Sequence, residues 1–214
     1  MLMALSPHDG GTASPASVSS STPRLTVHAV GDARRTEVEG FIRDVFARRY
    51  GADVRSFTPK LVTLQDRGEI VAAAGYRSAA EAPLFLERYL PSPVEALLAS
   101  EAEAQPERKN IVEVGHLAAS RAGEGRRLIS LIGPHLAAQD FTWVVGTITT
   151  ELRHLFMRIG VTPLALGIAD PAALGREAVQ WGSYYDHRPV VLAGHLNQAL
   201  RRLARKAQSS QAGQ

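Results

Sequence analysis

Polar and apolar residues follow each other at two characteristic spacings in the first quarter of the chain. Residues 24–29 (RLTVHA) alternate as in a strand with one buried face. Asp32 then suits a helix N-cap, and Gly51 suits a helix stop. Between them, apolar side chains recur at helical spacing, at Val38, Phe41, Ile42, Val45, Phe46 and Tyr50. The pattern predicts an opening strand and a long amphipathic helix.

The next part of the chain begins with two strand-like runs, 60–64 and 69–76, joined by Gln65-Asp66-Arg67-Gly68. Asp and Gly favour a tight turn, so the two runs are predicted to pair as an antiparallel hairpin. Ser92-Pro93-Val94-Glu95 combines a cap, a first-turn proline and a capping-box carboxylate. This signature predicts a short helix that runs toward Ala104.

Strands and helices alternate in the second half of the chain. Residues 111–118 (IVEVGHLA) form an apolar strand in which Gly115 marks a bulge, and a glycine-containing turn and an amphipathic helix follow. The later predictions are strand 142–148, a helix ending at Gly160, strand 163–168, a helix start at Asp170-Pro171, further strand within 181–192 and a basic helix from Gly194. This order predicts an α/β fold with a mixed, mostly antiparallel central sheet and helices on both faces.

Composition narrows the organisation and the possible chemistry. Residues 1–22 and 207–214 are poor in large apolar side chains, so they are predicted to be a disordered leader and tail around one domain at 23–206. The net charge of +3 is too small and too local for a nucleic-acid groove. The absence of cysteine excludes disulfides and thiolate chemistry, and the histidines lack metal-ligand spacing, so no metal site is predicted. Without a recognisable signal peptide or membrane-spanning run, a cytoplasmic location is expected.

Two polar side chains in the strand 111–118 are the candidate catalytic groups. Glu113 is a carboxylate in an apolar strand, where burial is costly unless the group is paired or used. As a functional group it would take a proton from an attacking amine, and the alternative is an outward-facing position. His116 follows three residues later, so it points away from Glu113 unless the bulge resets the alternation. The alternative for His116 is a structural hydrogen-bonding role.

The turn at 120–125 (SRAGEG) resembles the phosphate-binding loop of GNAT-like acyltransferases, with glycines at its fourth and sixth positions. The resemblance implies that Gly123 and Gly125, with the strand backbone at Leu117 and Ala118, bind the phosphopantetheine arm of an acyl donor. A plain turn before a helix is the alternative.

Four segments spread over most of the chain carry a more specific resemblance. They are 49–52 (RYGA), 83–90 (PLFLERYL), 111–118 (IVEVGHLA) and 181–186 (WGSYYD). In these segments the chain resembles the thermostable hemolysin family. That family is similar in turn to the acyl-homoserine-lactone synthases, GNAT-like enzymes that take an acyl group from a carrier protein or CoA. Residues 113–116 (EVGH) echo their Glu-x-x-Arg, with His116 in place of Arg.

Further residues are candidates for substrate binding. Trp181, Tyr184 and Tyr185 form a dense aromatic cluster that would line an acyl or amine pocket, and packing of the sheet edge is the alternative. Arg43 and Phe46 belong to the predicted first helix. In lactone-synthase relatives this neighbourhood encloses the substrate and meets the acidic carrier protein, and solvated helix charge is the alternative for the arginine.

Together these features predict an N-acyltransferase that moves an acyl group from acyl-CoA or acyl carrier protein to a small amine, with Glu113 as the base. The donor is a substrate, and no permanently bound cofactor is expected. Two alternatives stay open, a non-catalytic acyl-carrier-binding protein of the same fold and a membrane-active haemolytic protein. Phe156 fits the non-catalytic alternative, because many GNAT enzymes carry there the tyrosine that protonates the departing thiolate.

Overall fold

The computed structural model describes residues 24–100, 105–158 and 160–212, with side chains as far as Arg205. The strands in this part of the chain are β1 Arg24–His28, β2 Lys60–Asp66, β3 Glu69–Ser78, β4 Ile111–Ala119, β5 Trp143–Ile148, β6 Leu164–Ile168 and β7 Val190–His195. The α-helices are α1 Arg35–Tyr50, α2 Val94–Leu98, α3 Glu124–Ala137, α4 Thr150–Arg158 and α5 Leu196–Ala212. Three 3-10 segments lie between them, η1 Phe85–Tyr89, η2 Arg108–Asn110 and η3 Pro171–His187.

The strands form one mixed sheet in the order β1-β2-β3-β4-β5-β7-β6. Strands β4 and β5 pair in parallel, and the other neighbouring strands pair antiparallel. Helix α1, with η1 and α2, covers one face, and α3 and α5 pack against the other. The predicted fold class, a mostly antiparallel sheet with helices on both faces, is confirmed.

Helix α1 has the buried apolar stripe that the sequence predicts, and it stops at Gly51 as predicted. Val38, Ile42 and Phe46 are buried against the sheet, and Gly51 ends the helix in the left-handed conformation with φ 64°. The predicted start needs correction, because Arg34 occupies the N-cap position and Asp32 precedes the helix. The Asp32 carboxylate accepts a hydrogen bond from the Arg34 N–H at 2.8 Å, so it closes the preceding turn instead.

The predicted hairpin between β2 and β3 is confirmed. Arg67 and Gly68 form its tip with φ of 51° and 85°, the positive values that a tight hairpin turn requires. Both strands run two residues further than the sequence pattern indicates, to Asp66 and Ser78. The extension matters for the site, because it makes Arg77 a member of β3.

The helix predicted after Ser92 is shorter than expected. Helix α2 ends at Leu98, and the rest of the predicted span includes residues 101–104, which lie outside the described part. The capping box is wrong as well, because Glu95 pairs with Arg108 at 2.6 Å. The Val94 N–H donates instead to Glu87 of η1 at 3.0 Å, so a longer-range contact replaces the local one.

The strand predicted within 181–192 is wrong over most of its length. Residues up to His187 belong to η3, and strand β7 begins only at Val190. Segment η3 is kinked at Gly175 and Gly182, whose φ values are 56° and 51°, and such kinks break an extended run. Its aromatic residues therefore pack as a folded segment beside the end of α1.

The two ends of the chain were predicted to be disordered. Residues 1–22 lie outside the described part. At the other end, α5 continues to Ala212, so its backbone is helical within most of 207–214.

Candidate active site

A split in the sheet between β4 and β5 opens a large cavity. The two strands pair only from Ile111 to Glu113 with Trp143 to Val145, although β4 continues to Ala119 and β5 to Ile148. A side chain at Gly146 would stand 2.7 Å from the Val114 carbonyl oxygen, so glycine is needed at the last close approach. Beyond that point the strands separate around a cavity of about 990 Å³.

The cavity passes through the sheet and differs on its two faces. On the α3 and α5 side the lining is apolar, with Ile129, Ile132, Leu136, Leu196, Leu200 and Leu203. On the α1 side it is aromatic and polar, and Glu113 and His116 lie there. The arginines of the lining are Arg48, Arg49, Arg77, Arg121, Arg126 and Arg158, against the carboxylates of Glu113 and Glu151. The cavity therefore favours an anionic ligand with an apolar extension.

A β-bulge in β4 brings Glu113 and His116 to the same face of the sheet. Ala73 pairs with Ala118 and Gly75 with Gly115, so β4 has one more residue than β3 in this interval. The extra residue falls after the predicted Gly115, and His116 takes a positive φ of 53°. Its ring lies 6.5 Å from the ring of Phe46, on the α1 side where Glu113 also points. The bulge resets the alternation, as the sequence argument required for these two side chains to approach each other.

Glu113 is a buried carboxylate held from three sides. Its two oxygens accept the N–H groups of Phe85 at 2.9 Å and Leu86 at 3.1 Å, and the Nε of Arg77 lies 3.4 Å away. Burial raises the pKa of the Glu113 carboxyl, and the two N–H donors and Arg77 only partly oppose that effect. A carboxylate with a raised pKa is a stronger base toward an amine.

Arg77 belongs to this site although the sequence analysis missed it. It stands directly opposite Glu113 in the β3–β4 register and lines the cavity. Among the described residues its buried Nε makes no hydrogen bond in good geometry, so its contact with Glu113 is an ion pair rather than a hydrogen bond. The available signal was a charged residue directly after the strand-like run 69–76. The register that places it opposite Glu113 is not readable from the sequence.

His116 is a neutral imidazole at physiological pH. Burial, assisted by the nearby charge of Arg77, lowers the pKa of His116 to about 4, and a hydrogen bond to the Ser56 backbone opposes this. Its Nδ1 has no hydrogen-bond partner among the described residues. Gly75 makes room for the ring, because a side chain there would overlap Thr58 Oγ1 and stand 3.3 Å from His116 Nδ1.

Aromatic rings from α1, η1 and η3 form one wall of the cavity. Trp181 lies between Phe46 and Phe85, with ring centroids 6.3 Å and 5.8 Å away. The Tyr184 hydroxyl donates to the Thr147 carbonyl of β5 at 3.1 Å, and burial raises the pKa of this phenol. The predicted aromatic cluster therefore lines the cavity, and η1 adds Phe85 and Tyr89, which the sequence analysis did not single out.

Segment η3 is fixed to the end of α1 by backbone contacts. The Asp53 N–H donates to the Gln180 carbonyl at 2.7 Å, and the Ser183 hydroxyl donates to the Tyr50 carbonyl at 3.2 Å. At Gly182 a side chain would overlap the Tyr50 carbonyl oxygen, so only glycine permits this approach. Two of the segments that carried the family resemblance, 49–52 and 181–186, are thus packed against each other.

The glycine turn lies where a helix begins at the cavity. Gly123, with φ 91°, precedes α3, and Gly125 belongs to its first turn. Both line the cavity together with Arg121 and Arg126. Glu124, between the glycines, pairs with Arg127 at 2.8 Å. Backbone N–H groups and two arginines at a helix start suit a phosphate.

The cavity brings together the predicted site residues apart from Arg43 and Ala118. Leu117 is among the lining residues, whereas Ala118 is buried in the core beside α1. Arg43 donates to the Val54 carbonyl at 3.4 Å and lies over the Phe57 ring, outside the lining. Arg43 and the Ala118 side chain thus lie outside the cavity lining, and the substrate contact of Arg43 and the backbone contact of Ala118 stay predictions. Phe156 also lines the cavity, on α4.

Two kinds of feature are absent from the residues that the structure describes. No cluster of three or more His, Asp or Glu side chains there is arranged to hold a metal ion. No helix in that part has the length and apolar character needed to cross a bilayer.

Comparison with solved structures identifies the class of fold. The chain is similar to the CoA-dependent acyl-homoserine lactone synthase BjaI, with 14% identity and a TM-score of 0.59 over 86% of this chain and 89% of that chain. It is also similar to the acyl-homoserine lactone synthase LasI, with 16% identity and a TM-score of 0.54 over 82% of this chain and 91% of that chain. A third similar structure is FeeM, an N-acyl amino acid synthase from uncultured soil microbes, with 11% identity and a TM-score of 0.56 over 83% of this chain and 94% of that chain. The fold is thus the GNAT-like fold of acyl-transferring synthases.

A match to a protein-family model identifies the family of this chain. A family model described as thermostable hemolysin matches residues 28–200, and the chain belongs to this family. None of the curated proteins matches the chain.

Proposed function

We propose that this protein is an N-acyltransferase that moves an acyl group from a CoA or carrier-protein thioester to a small amine. The observation that carries the proposal is the buried Glu113, which lies in the cavity where β4 and β5 separate. A carboxylate with a raised pKa beside an open sheet edge suits removal of a proton from an ammonium group. The solved relatives named as acyl-homoserine lactone and N-acyl amino acid synthases share this fold.

The donor site follows from the two ends of the cavity. The diphosphate of CoA, or the phosphate of a carrier-protein arm, would bind at the start of α3, near Gly123, Arg121 and Arg126. The pantetheine arm would lie along β4 beyond Glu113, where the backbone no longer pairs with β5. The acyl chain would then extend into the apolar part of the cavity between α3 and α5.

The reaction would proceed by direct attack. Glu113 takes a proton from the acceptor ammonium, and the free amine attacks the thioester carbonyl, whose developing negative charge is stabilised by backbone N–H groups of β4. The C–S bond then breaks, the electron pair leaves with sulfur, and an amide and a free thiol are formed. The neutral His116 ring adjoins this position without adding a positive charge that would disfavour an ammonium.

The test is release of free thiol from a panel of acyl-CoAs and acyl carrier proteins with pooled small amines. Amine-dependent release by the unaltered protein is expected, and Glu113→Gln should lower it by about 100-fold or more, the usual contribution of a general base. Glu69→Gln changes an exposed carboxylate at the hairpin and is the matched control, expected to leave the rate unchanged. Thiol release that is equal in Glu113→Gln and in the unaltered protein would refute the assigned base.

One observation favours a second candidate, a non-catalytic protein that binds acyl carriers. Phe156 lines the cavity without an acidic proton, so the side chain at that position cannot protonate a departing thiolate. Binding of acyl-CoA or acyl carrier protein with no thiol release across the whole amine panel would support this candidate over the acyltransferase.

A further inference from the structure

The proposed acyl transfer creates a chemical requirement that Phe156 does not meet. Collapse of the tetrahedral intermediate expels an alkyl thiolate, and proton donation at sulfur assists that step because the free thiol is a weak acid with a pKa of about 8.5. Phe156 faces the cavity but has no hydroxyl. A proton donor to sulfur would therefore be water or another group in the lining.

We propose that the Tyr184 hydroxyl donates this proton, an inference that rests on the proposed acyl transfer. Tyr184 lines the cavity, and its hydroxyl lies 3.1 Å from the carbonyl oxygen of Thr147. Thr147 comes two residues after Val145, the last residue of β5 that pairs with β4. The phenol is therefore located on the separated part of β5, the border of the split that receives the thioester.

The surroundings of Tyr184 hold the ring in place and keep it protonated. Its ring contacts those of Phe46, Tyr50, Trp181 and Tyr185, with centroids between 5.3 and 6.4 Å away. Burial raises the pKa of the Tyr184 phenol, so it is an acid in its resting form. The same apolar surroundings disfavour a thiolate, so they raise the pKa of the departing thiol as well as that of the phenol.

The other phenols of the cavity are less suited to this role. The hydroxyls of Tyr89 and Tyr185 are 2.6 Å apart and bond to each other, so this pair connects η1 to η3. Tyr50 is positioned against η3 and the His187 ring. Among these four, Tyr184 is the phenol hydrogen-bonded to the strand that borders the split.

The protons balance in this scheme. The C–S bond breaks, its electron pair goes to sulfur, and sulfur receives the Tyr184 proton. The new amide nitrogen still carries one extra proton from the original ammonium, and this proton neutralises the tyrosinate. Glu113 returns the first ammonium proton to water, so the sum is one amide, one thiol and one released proton.

The test compares two leaving groups in the same protein. The donors are the acyl-CoA that the protein uses best and the 4-nitrothiophenyl ester of the same acyl group, whose thiolate leaves without proton donation. Tyr184→Phe keeps the ring and removes only the hydroxyl. With acyl-CoA we expect kcat to fall by about 100-fold or more with little change in KM, the usual contribution of a general acid. With the nitrothiophenyl ester the loss should be under about 3-fold.

Tyr185→Phe is the matched control, because it removes the neighbouring hydroxyl and should not depend on the leaving group. Equal losses by Tyr184→Phe with both donors would show a packing role and overturn the inference, as would an unchanged rate with acyl-CoA. In both cases acyl transfer itself would stand, since the unaltered protein releases thiol. Absence of release by the unaltered protein with either donor would instead refute acyl transfer and the role of Tyr184 together.

Discussion

Gly182→Ala tests the contact that fixes the aromatic wall of the cavity to helix α1. The backbone at Gly182 has φ 51° and ψ −130°, a region that residues with a side chain rarely adopt. The added methyl group would overlap the Tyr50 carbonyl oxygen and stand 2.9 Å from the Gly51 carbonyl oxygen. These atoms belong to backbone, which cannot turn aside as a flexible side chain does.

The magnitude follows from these two effects. The unfavourable backbone conformation costs about 1–3 kcal/mol, and overpacking against a fixed neighbour costs about 1–3 kcal/mol more. Loss of flexibility in the unfolded chain returns about 0.4–1 kcal/mol. The net loss in the free energy of unfolding is therefore about 1–6 kcal/mol, a large share of the usual total for a domain.

Urea unfolding followed by tryptophan fluorescence measures this loss, and Trp181 reports directly on η3. Gly40→Ala is the matched control, because Gly40 lies within α1 and a methyl group there would meet no atom within 4 Å. That change should raise the free energy of unfolding by about 0.5–1 kcal/mol. A loss below about 1 kcal/mol in Gly182→Ala would show that the approach of η3 to α1 is not as close as described.

Three further changes probe the polar side of the cavity. Gly75→Ala should displace Thr58 and His116 and cost about 1–3 kcal/mol in urea unfolding; a neutral result would refute the tight fit. His116 binds a proton more weakly in the folded than in the unfolded chain. The free energy of unfolding should therefore decrease as the pH is lowered from 6.5 to about 4, by at most about 1.4 kcal/mol per pH unit. His116→Gln should flatten that slope, and an unchanged slope would contradict the low pKa. Arg77→Gln removes a cation that lowers the Glu113 pKa, so the acidic limb of the rate profile should move to higher pH, and a move to lower pH would contradict this.

The sequence predicted the elements whose signals are local. The α1 stripe, the hairpin tip at Arg67-Gly68 and the strand containing Glu113 depend on periodicity and turn chemistry within a few residues. The fold class followed from the order of these elements. The bulge in β4 was also expected from Gly115, although the extra residue is placed one position later, where His116 takes the positive φ.

The features that the sequence did not predict depend on contacts between residues that are distant in sequence. Aromatic residues favour strands, so 181–187 resembled one, but two glycine kinks and the close approach to Tyr50 make it a folded wall instead. Arg77 escaped notice because its pairing with Glu113 is a property of register, which a single sequence does not reveal. Arg43 lies outside the cavity lining, because its position in the helix pattern does not reveal that its side chain contacts Val54 and Phe57.

The strand order also has a consequence for synthesis of the chain. The last strand, β7, lies between β5 and β6, both of which are made earlier. Until Val190–His195 has left the ribosome, the partners of that strand each present an unsatisfied backbone edge. A chain that ends before this point leaves these edges open to pairing with other chains. A premature stop codon before Val190 would thus produce an aggregation-prone fragment rather than a shortened working protein.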